Sequence, residues 1–209
     1  PPRLEKLVEG LGIKGAIEPA SLKSYATHVT QQAVVGAIQD LKREHPLDPK
    51  AITRVVIRGA PRIMEERHSA RQPQDVLGGQ YSLPFTTAVA LTRDMSNPLV
   101  YNADAVADPI VRDLARRIEL VPLTEEAHET PGFWQAEITV ECGGRRHSVH
   151  TRPHKGSPSN PFTWDEAGEK FRRYTASLLG APQATAVIGA VGALGSGADL
   201  GDLARLLAP

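Results

Sequence analysis

The chain has 209 residues, of which 41% are hydrophobic and 23% are charged, and its formal net charge is zero. This composition is typical of a globular protein with a real core, and the balanced charge argues against a general nucleic-acid or membrane-surface binder. Cys142 is the only cysteine, which excludes an internal disulfide, and no apolar stretch approaches the roughly 18 residues of a membrane span, so we expect a cytoplasmic protein.

Hydrophobic periodicity predicts the elements of the first half of the chain. Leucine and valine at helical spacing predict a short helix over residues 4–11. An apolar stripe from residue 29 to 41 predicts a second helix, which His45-Pro46 ends. Alternating β-branched residues predict a strand over 52–58. A polar loop follows at 61–79, and the helical spacing resumes from Phe85 to Thr92.

The second half of the chain begins with a predicted helix at 105–117, in which Asp108-Pro109 is a start signal. Three strands are then predicted at 118–123, 135–141 and 147–152, and Gly143-Gly144 joins the last two as a hairpin. The remaining predicted elements are helices at 164–179, 183–194 and 198–207.

The order of these elements predicts the fold class. Strands without a regular βαβ alternation favour an α+β fold, in which a small, mostly antiparallel sheet carries helices on one face. We expect two domains, an α+β domain over residues 1–160 and a separate layer of helices over 161–209.

Two ionisable residues, Lys23 and His28, lie just before the helix predicted from residue 29. A lysine is a point charge for a carboxylate, and a histidine titrates near neutral pH and can move a proton. Both would stand near the free backbone N–H groups of a helix start, which bind anions. A surface lysine and a structural histidine would produce the same pattern, and this alternative stays open.

Tyr81 and Ser82 precede the next predicted helix in the same way. A tyrosine hydroxyl can donate a hydrogen bond to a developing enolate or to a carboxylate, but Tyr81 could equally be a packing residue. Gln31 could hold a substrate hydroxyl with its amide, or be an ordinary helix residue.

The run from Arg145 to Lys155 is rich in arginine and histidine. His147 and His150 are three residues apart on a predicted strand and therefore point to opposite faces, which is poor geometry for one metal ion. The run lacks interleaved aromatic residues, so it indicates a solvated hairpin, or less readily a contact to a carboxylate-rich ligand. No phosphate-loop or nucleophile-elbow motif is present, and we predict neither a metal nor a cofactor.

Several segments resemble the MmgE/PrpD family, which contains 2-methylcitrate dehydratase and its relatives. The segments are Tyr25 followed by Thr30-Gln31-Gln32-Ala33-Val34, the stretch from Tyr81 to Leu91, Asp108-Pro109, Gly156-Ser157-Pro158 and Lys170-Phe171. They follow in the family's order over about residues 10–207 and resemble its C-terminal half. The pair Lys23 and His28 is similar to a lysine and a histidine that line the pocket of cis-aconitate decarboxylase.

The resemblance implies a metal-free lyase that acts on small di- or tricarboxylates. A base would remove a proton next to a carboxylate, and a β-hydroxyl would leave. Lys23 and His28 would be catalytic, the first binding a carboxylate and the second transferring a proton. The residues expected to bind the substrate are Tyr25, Gln31, Tyr81 and Ser82. Decarboxylases and epimerases of the same family, and a non-catalytic scaffold or regulatory subunit, are the alternatives.

Three departures from the family pattern qualify these expectations. Phe85 stands where the decarboxylase has a pocket tyrosine, and Gln32 or Val29 replaces a second histidine. The family also has a large all-helical N-terminal domain, to which no segment of this sequence corresponds. The chain begins with Pro1-Pro2 rather than Met, so we expect that domain to have been removed or to belong to a second chain. A homodimer is a further possibility for the assembly.

Overall fold

A computed structural model describes residues 4–13, 15, 17, 19–123 and 134–207. It divides the chain into two compact units. The first unit runs to Pro161 without Asn97–Leu99, and the second unit consists of Asn97–Leu99 together with the chain from Phe162 onward.

The described part of the first unit contains four strands and five α-helices. The strands are β1 (Ile52–Gly59), β2 (Ile118–Pro122), β3 (Ala136–Cys142) and β4 (Arg145–His150). The helices are α1 (Gln32–Glu44), α2 (Val76–Tyr81), α3 (Leu83–Thr92), α4 (Ala103–Ala107) and α5 (Pro109–Arg116). Short 3₁₀ turns lie at Leu4–Leu7, Val29–Gln31, Pro49–Ala51, Pro61–Met64 and Glu66–His68. The segment 4–11 is thus a 3₁₀ turn with further turns rather than the predicted helix.

The strands form one mixed sheet in the order β2-β1-β3-β4. Strand β1 is parallel to β2 and antiparallel to β3, and β3 is antiparallel to β4. Helices α1 and α3 pack against one face of this sheet. The α+β class and the mostly antiparallel sheet are therefore confirmed.

The alternation of side chains along the strands separates the two faces of the sheet. Val55 and Ile57 of β1 pair with Val140 and Ile138 of β3, and all four side chains are buried under the helices. On the opposite face the guanidinium of Arg54 lies 2.5 Å from a Glu119 carboxylate oxygen, in contact with solvent. The sequence period of two therefore sets which face of the sheet the helices cover.

The predicted hairpin at Gly143-Gly144 is confirmed. Both glycines have positive φ angles, 57° and 75°, which a two-residue turn between right-twisted strands requires. Glycine adopts this backbone without the steric cost that a Cβ would add. Because only two residues form the turn, β4 begins at Arg145, two residues earlier than predicted.

Two helix boundaries differ from the prediction for identifiable reasons. The helix predicted over 105–117 is split, because the Asp108 carboxylate accepts hydrogen bonds from the backbone N–H groups of Ile110 and Val111 and starts α5 at Pro109. The polar loop predicted over 61–79 contains α2 from Val76 onward. Gly78-Gly79 disfavours a helix locally, but the Asp75 carboxylate caps the first turn by accepting from the Gly78 N–H.

Helix α3 is the centre of the first unit. Its residues from Leu83 to Leu91 are all buried, so it is covered on every side and has no solvent-facing stripe. Helix α1 crosses its C-terminal end, where the Lys42 ammonium donates hydrogen bonds to the Ala90 and Arg93 carbonyls, both at 2.9 Å. Burial lowers the pKa of Lys42 from its ordinary value. A cation at this position satisfies carbonyls that the helix leaves without partners.

The second unit contains α6 (Trp164–Thr175), α7 (Ala181–Ala193) and α8 (Leu200–Leu207), with a 3₁₀ turn at Leu194–Ser196. A capping box between Thr163 and Glu166 starts α6. An apolar groove of about 210 Å³ runs between α6 and α7, lined by Trp164, Ala167, Gly168, Phe171, Val187, Ile188 and Val191. Among the described helices of both units, none is long and apolar enough to span a membrane.

We expect Lys42→Met to lower the free energy of unfolding by roughly 1.5–3 kcal/mol, because it removes the hydrogen bonds that a charged donor makes to the Ala90 and Arg93 carbonyls. The Ala90 carbonyl keeps the hydrogen bond from the Gln39 amide at 3.1 Å. Urea denaturation followed by circular dichroism measures this change. Lys50→Met is the matched control, since Lys50 is exposed and its side chain caps no helix. Equal stability of the two variants would contradict the capping role of Lys42.

Candidate active site

Three aromatic rings from separate segments meet at one surface of the first unit. The ring centroids of His28 and His68 are 4.6 Å apart, and those of His28 and Tyr81 are 4.8 Å apart. The rings of His68 and Tyr81 are stacked at 6.2 Å. We call these three residues the ring cluster. Two of them were predicted site residues, and His68 was not.

His28 is held at the start of the 3₁₀ turn that precedes α1. Its backbone N–H donates to the Gln80 carbonyl at 3.0 Å, and its Nδ1 lies 2.9 Å from the Thr30 hydroxyl and 3.4 Å from the Thr30 backbone nitrogen. A backbone N–H can only donate, so Nδ1 must present a lone pair to it. Neutral His28 therefore carries its proton on Nε2.

His28 is neutral over a wide pH range. Burial lowers the pKa of His28 from 6.5 to about 4, together with the electrostatic effects of His68, Lys23 and Arg67 and against an opposing effect of Glu65. At neutral pH the imidazole is consequently a hydrogen-bond donor through Nε2 and not a cation.

His68 ends the 3₁₀ turn Glu66–His68 and is fully buried. Its Nδ1 lies 3.0 Å from the main-chain carbonyl oxygen of Tyr81. Because a carbonyl only accepts, Nδ1 donates, and neutral His68 has its lone pair on Nε2. Within the described part of the chain this Nε2 atom has no hydrogen-bond partner.

Gln31 lies beneath the ring cluster and is fully buried. Its amide nitrogen donates to the Tyr81 carbonyl at 2.5 Å, and its amide oxygen accepts from the Thr27 hydroxyl at 2.6 Å. Both ends of the amide are therefore engaged by the protein. Gln31 is therefore better suited to positioning the Tyr81 backbone than to contacting a substrate.

Gln32 has a similar role one residue later and holds the segment before His28. Its amide oxygen accepts from the backbone N–H groups of Ser24 and Tyr25, at 2.9 and 3.1 Å. Its amide nitrogen donates to the Tyr25 and Thr27 carbonyls, at 3.0 and 3.2 Å. The glutamine pair thus replaces the secondary-structure hydrogen bonds that this irregular segment lacks.

Lys23 is exposed on this same segment. The segment is tied to the loop after β4, because the Leu22 N–H donates to the Gly156 carbonyl at 2.8 Å and the Ser24 hydroxyl donates to the Lys155 carbonyl at 2.6 Å. Lys23 contributes to the lowered pKa of His28, which places its charge near the ring cluster.

The remaining two predicted residues have visible structural roles. The Ser82 hydroxyl accepts from the Phe85 N–H at 3.0 Å, donates to the Ala70 carbonyl, and is fully buried as the N-cap of α3. Tyr25 is half-buried and packs against the hydrophobic core. Tyr81, in contrast, is 42% exposed, so its side chain is accessible to a ligand.

The histidines of β4 are separated as their spacing predicts. His147 is half-buried and lies 4.3 Å from the ring of His45, whereas His150 is exposed beside Arg152 and Glu137 on a shallow pocket. The residues that the structure describes contain no group of three or more histidine, cysteine, aspartate or glutamate side chains placed to hold a metal ion.

We expect the stability of the protein to fall as the pH is lowered from about 6.5 towards 4. The folded-state pKa of His28 is depressed to about 4, so the unfolded chain takes up a proton first as the pH falls. The contribution of His28 to the free energy of unfolding is fully present above the pKa that this residue has in the unfolded chain. It is lost as the pH falls to the pKa of His28 in the folded protein. Thermal denaturation across this pH range should show a weaker dependence of the melting temperature on pH in His28→Asn than in the wild-type protein.

His150→Asn, on the exposed β4 strand, is the matched control for that measurement. Direct titration of the His28 ring by NMR gives a second readout. A midpoint near 6.5 in the folded protein would contradict the electrostatic description of the site.

Comparison with known families gives a match over most of the chain. The model of the MmgE/PrpD C-terminal domain matches residues 25–194, a range that includes the whole ring cluster and begins two residues after Lys23. A comparison with curated proteins gives no match. Because the family model covers well over half of the chain, the chain belongs to the MmgE/PrpD family and contains its C-terminal domain.

Proposed function

We propose that this chain forms the C-terminal part of a hydro-lyase that dehydrates small di- or tricarboxylates in the manner of 2-methylcitrate dehydratase. The family contains hydro-lyases, which supports the reaction class. The observation that carries the proposal is the ring cluster, where a neutral His28 donor lies next to an accessible Tyr81 and to cationic side chains.

Cationic groups near the cluster favour an anionic substrate. Lys23 is exposed, and Arg67 has a side chain that is 57% exposed and lies 2.6 Å from a Glu65 carboxylate oxygen. Both cations lower the pKa of His28, so their field reaches the imidazole. A substrate carboxylate bound by Lys23 would place the neighbouring carbon close to the rings.

His28 provides a hydrogen-bond donor at the reacting centre. Its Nδ1 lone pair is engaged by Thr30, so we assign it the donation of an Nε2–H hydrogen bond to the enolate-like oxygen, in place of the proton transfer expected from the sequence. A neutral imidazole suits this task because it stabilises developing negative charge without neutralising a carboxylate beforehand.

Tyr81 is the second residue that we place against the substrate, since its exposed side chain lies beside His28. Gln31, Ser82 and Tyr25 act behind this surface. Gln31 holds the Tyr81 carbonyl, Ser82 starts α3 directly after it, and Tyr25 packs the segment that carries His28.

The second unit supports an assembly with a helical domain. Several large apolar side chains of this unit are exposed, with Trp164 at 55%, Leu178 at 81% and Leu200 at 67%. Exposed apolar surface of this extent indicates an interaction site. We propose that an all-helical domain, from the same polypeptide or from a second chain, covers the groove between α6 and α7. Homodimerisation and a cytoplasmic location remain predictions.

A substrate panel tests the proposed reaction. The protein, together with its helical domain or partner, is incubated with methylcitrate, cis-aconitate and an aspartate-derived acid. We expect methylcitrate to give the rise in ultraviolet absorbance of a conjugated alkene. Release of carbon dioxide from cis-aconitate would assign a decarboxylase instead, and an inert preparation with every acid would favour the scaffold alternative.

Two substitutions test the roles of the cationic and imidazole groups separately. His28→Gln should lower kcat by about 10²–10³-fold, the usual effect of removing one oxyanion donor. Lys23→Met should raise KM roughly tenfold or more, since a charged hydrogen bond contributes about 1.5–3 kcal/mol.

Steady-state kinetics with the best substrate of the panel separates the two effects, and Lys50→Met again serves as the control for Lys23→Met. A Lys23→Met variant with unchanged KM would remove Lys23 from the carboxylate site.

A further inference from the structure

The two histidines of the ring cluster are held in opposite tautomers. Thr30 donates its backbone N–H to Nδ1 of His28, which leaves the proton on Nε2. The Tyr81 carbonyl accepts from Nδ1 of His68, which leaves the lone pair on Nε2. With ring centroids only 4.6 Å apart, the site thus combines one donor Nε2–H with one acceptor Nε2.

The acceptor atom of His68 is unusual because it is buried without a hydrogen-bond partner in the described part of the chain. His68 is fully buried, and its Nε2 has no partner among the residues that the structure describes. Buried polar groups in folded proteins are nearly always hydrogen-bonded, so an exception of this kind calls for a ligand, a water molecule or a chemical role.

The other polar groups around the cluster are less suited to accept a proton. Protonated lysine and arginine side chains are donors only, which removes Lys23 and Arg67. The Glu65 carboxylate lies 2.6 Å from the Arg67 guanidinium. His28 presents its remaining lone pair to Thr30.

We propose that His68 is the proton acceptor of the reaction, taking up through Nε2 the proton that is removed next to the substrate carboxylate. This inference rests on the proposed function. Tyr81, whose ring is stacked on that of His68, is 42% exposed. Because His68 is fully buried, the proposal requires the Tyr81 side chain to rotate and admit the substrate to Nε2.

The step balances within the site. The C–H bond next to the carboxylate breaks, its proton goes to Nε2 of His68, and the electron pair forms the new C=C bond as the β-carbon–oxygen bond breaks. The departing hydroxide takes the proton from the His68 imidazolium, which yields water and restores the neutral imidazole. His28 donates its hydrogen bond to the carboxylate oxygen on which charge accumulates, and its own proton stays in place.

Two replacements of His68 separate proton transfer from structural support. Asn places an amide N–H near the position of Nδ1 and preserves the bond to the Tyr81 carbonyl, but it has nothing at Nε2. Gln reaches the position of Nε2 with an amide that can accept a hydrogen bond but cannot take a proton. If His68 is the proton acceptor, both His68→Asn and His68→Gln lower kcat by about 10²–10⁴-fold with little change in KM.

The pH profile adds a readout that a structural role would not move. The acidic limb of kcat/KM should disappear from the residual activity of both variants, whereas His28→Gln should retain it. Circular dichroism and denaturation confirm that each variant is folded. Activity within threefold of wild type in His68→Asn would show that only the Tyr81 bond matters, and the same result in His68→Gln would show that hydrogen bonding suffices; either overturns the proposal.

A binding measurement separates this inference from the proposed function. In protein labelled with ¹⁵N at histidine, citrate is added as a tricarboxylate probe that carries a hydroxyl donor. We expect the Nε2 resonance of His68 to shift towards a hydrogen-bonded value, and the shift to be absent in Lys23→Met. A wild-type protein that dehydrates no acid but shows this shift would overturn the proposed reaction alone. Citrate binding that perturbs His28 and leaves His68 unchanged would overturn the role of His68.

Discussion

The main-chain carbonyl of Tyr81 is the point at which the candidate site is assembled. It belongs to the last residue of α2, where a helix leaves its carbonyls without intrahelical partners. Gln31 fills one of its acceptor positions and His68 the other, at 2.5 and 3.0 Å. One backbone oxygen therefore holds the start of α1, the 3₁₀ turn that carries His68, and the junction of α2 with α3 in a single arrangement.

A buried chain of hydroxyl groups extends this arrangement into the core. The Tyr101 hydroxyl donates to Thr86 at 2.9 Å, Thr86 lies 3.1 Å from the Thr27 hydroxyl, and Thr27 donates to the Gln31 amide. Burial raises the pKa of Tyr101 to about 12, so its hydroxyl keeps its proton and remains a donor to Thr86. A fully satisfied polar network within an apolar core favours one arrangement of the helices over shifted alternatives.

The electrostatics of the site follow from where His28 lies. His28 is partly buried next to a second imidazole and near two cations, and these surroundings keep it neutral. The cationic field is unfavourable for a charged imidazole and favourable for a carboxylate. The hydrogen bond that each Nδ1 atom makes fixes the tautomer of its ring. As a result His28 donates at Nε2 and His68 accepts at Nε2.

Local sequence patterns determined the elements and the family of this protein. The period of two in β1 and β3, the apolar stripe of α1, the Gly143-Gly144 turn and the motif from Tyr81 to Leu91 each report on residues close together in the chain. The composition of the site depends instead on contacts between segments that are far apart in the chain. His68 joins His28 across 40 positions of sequence, and Gln31 is turned inward by a carbonyl 50 residues away. Bonds between side chains and distant backbone groups have no periodic signature, because they depend on where two irregular segments meet after the core has formed.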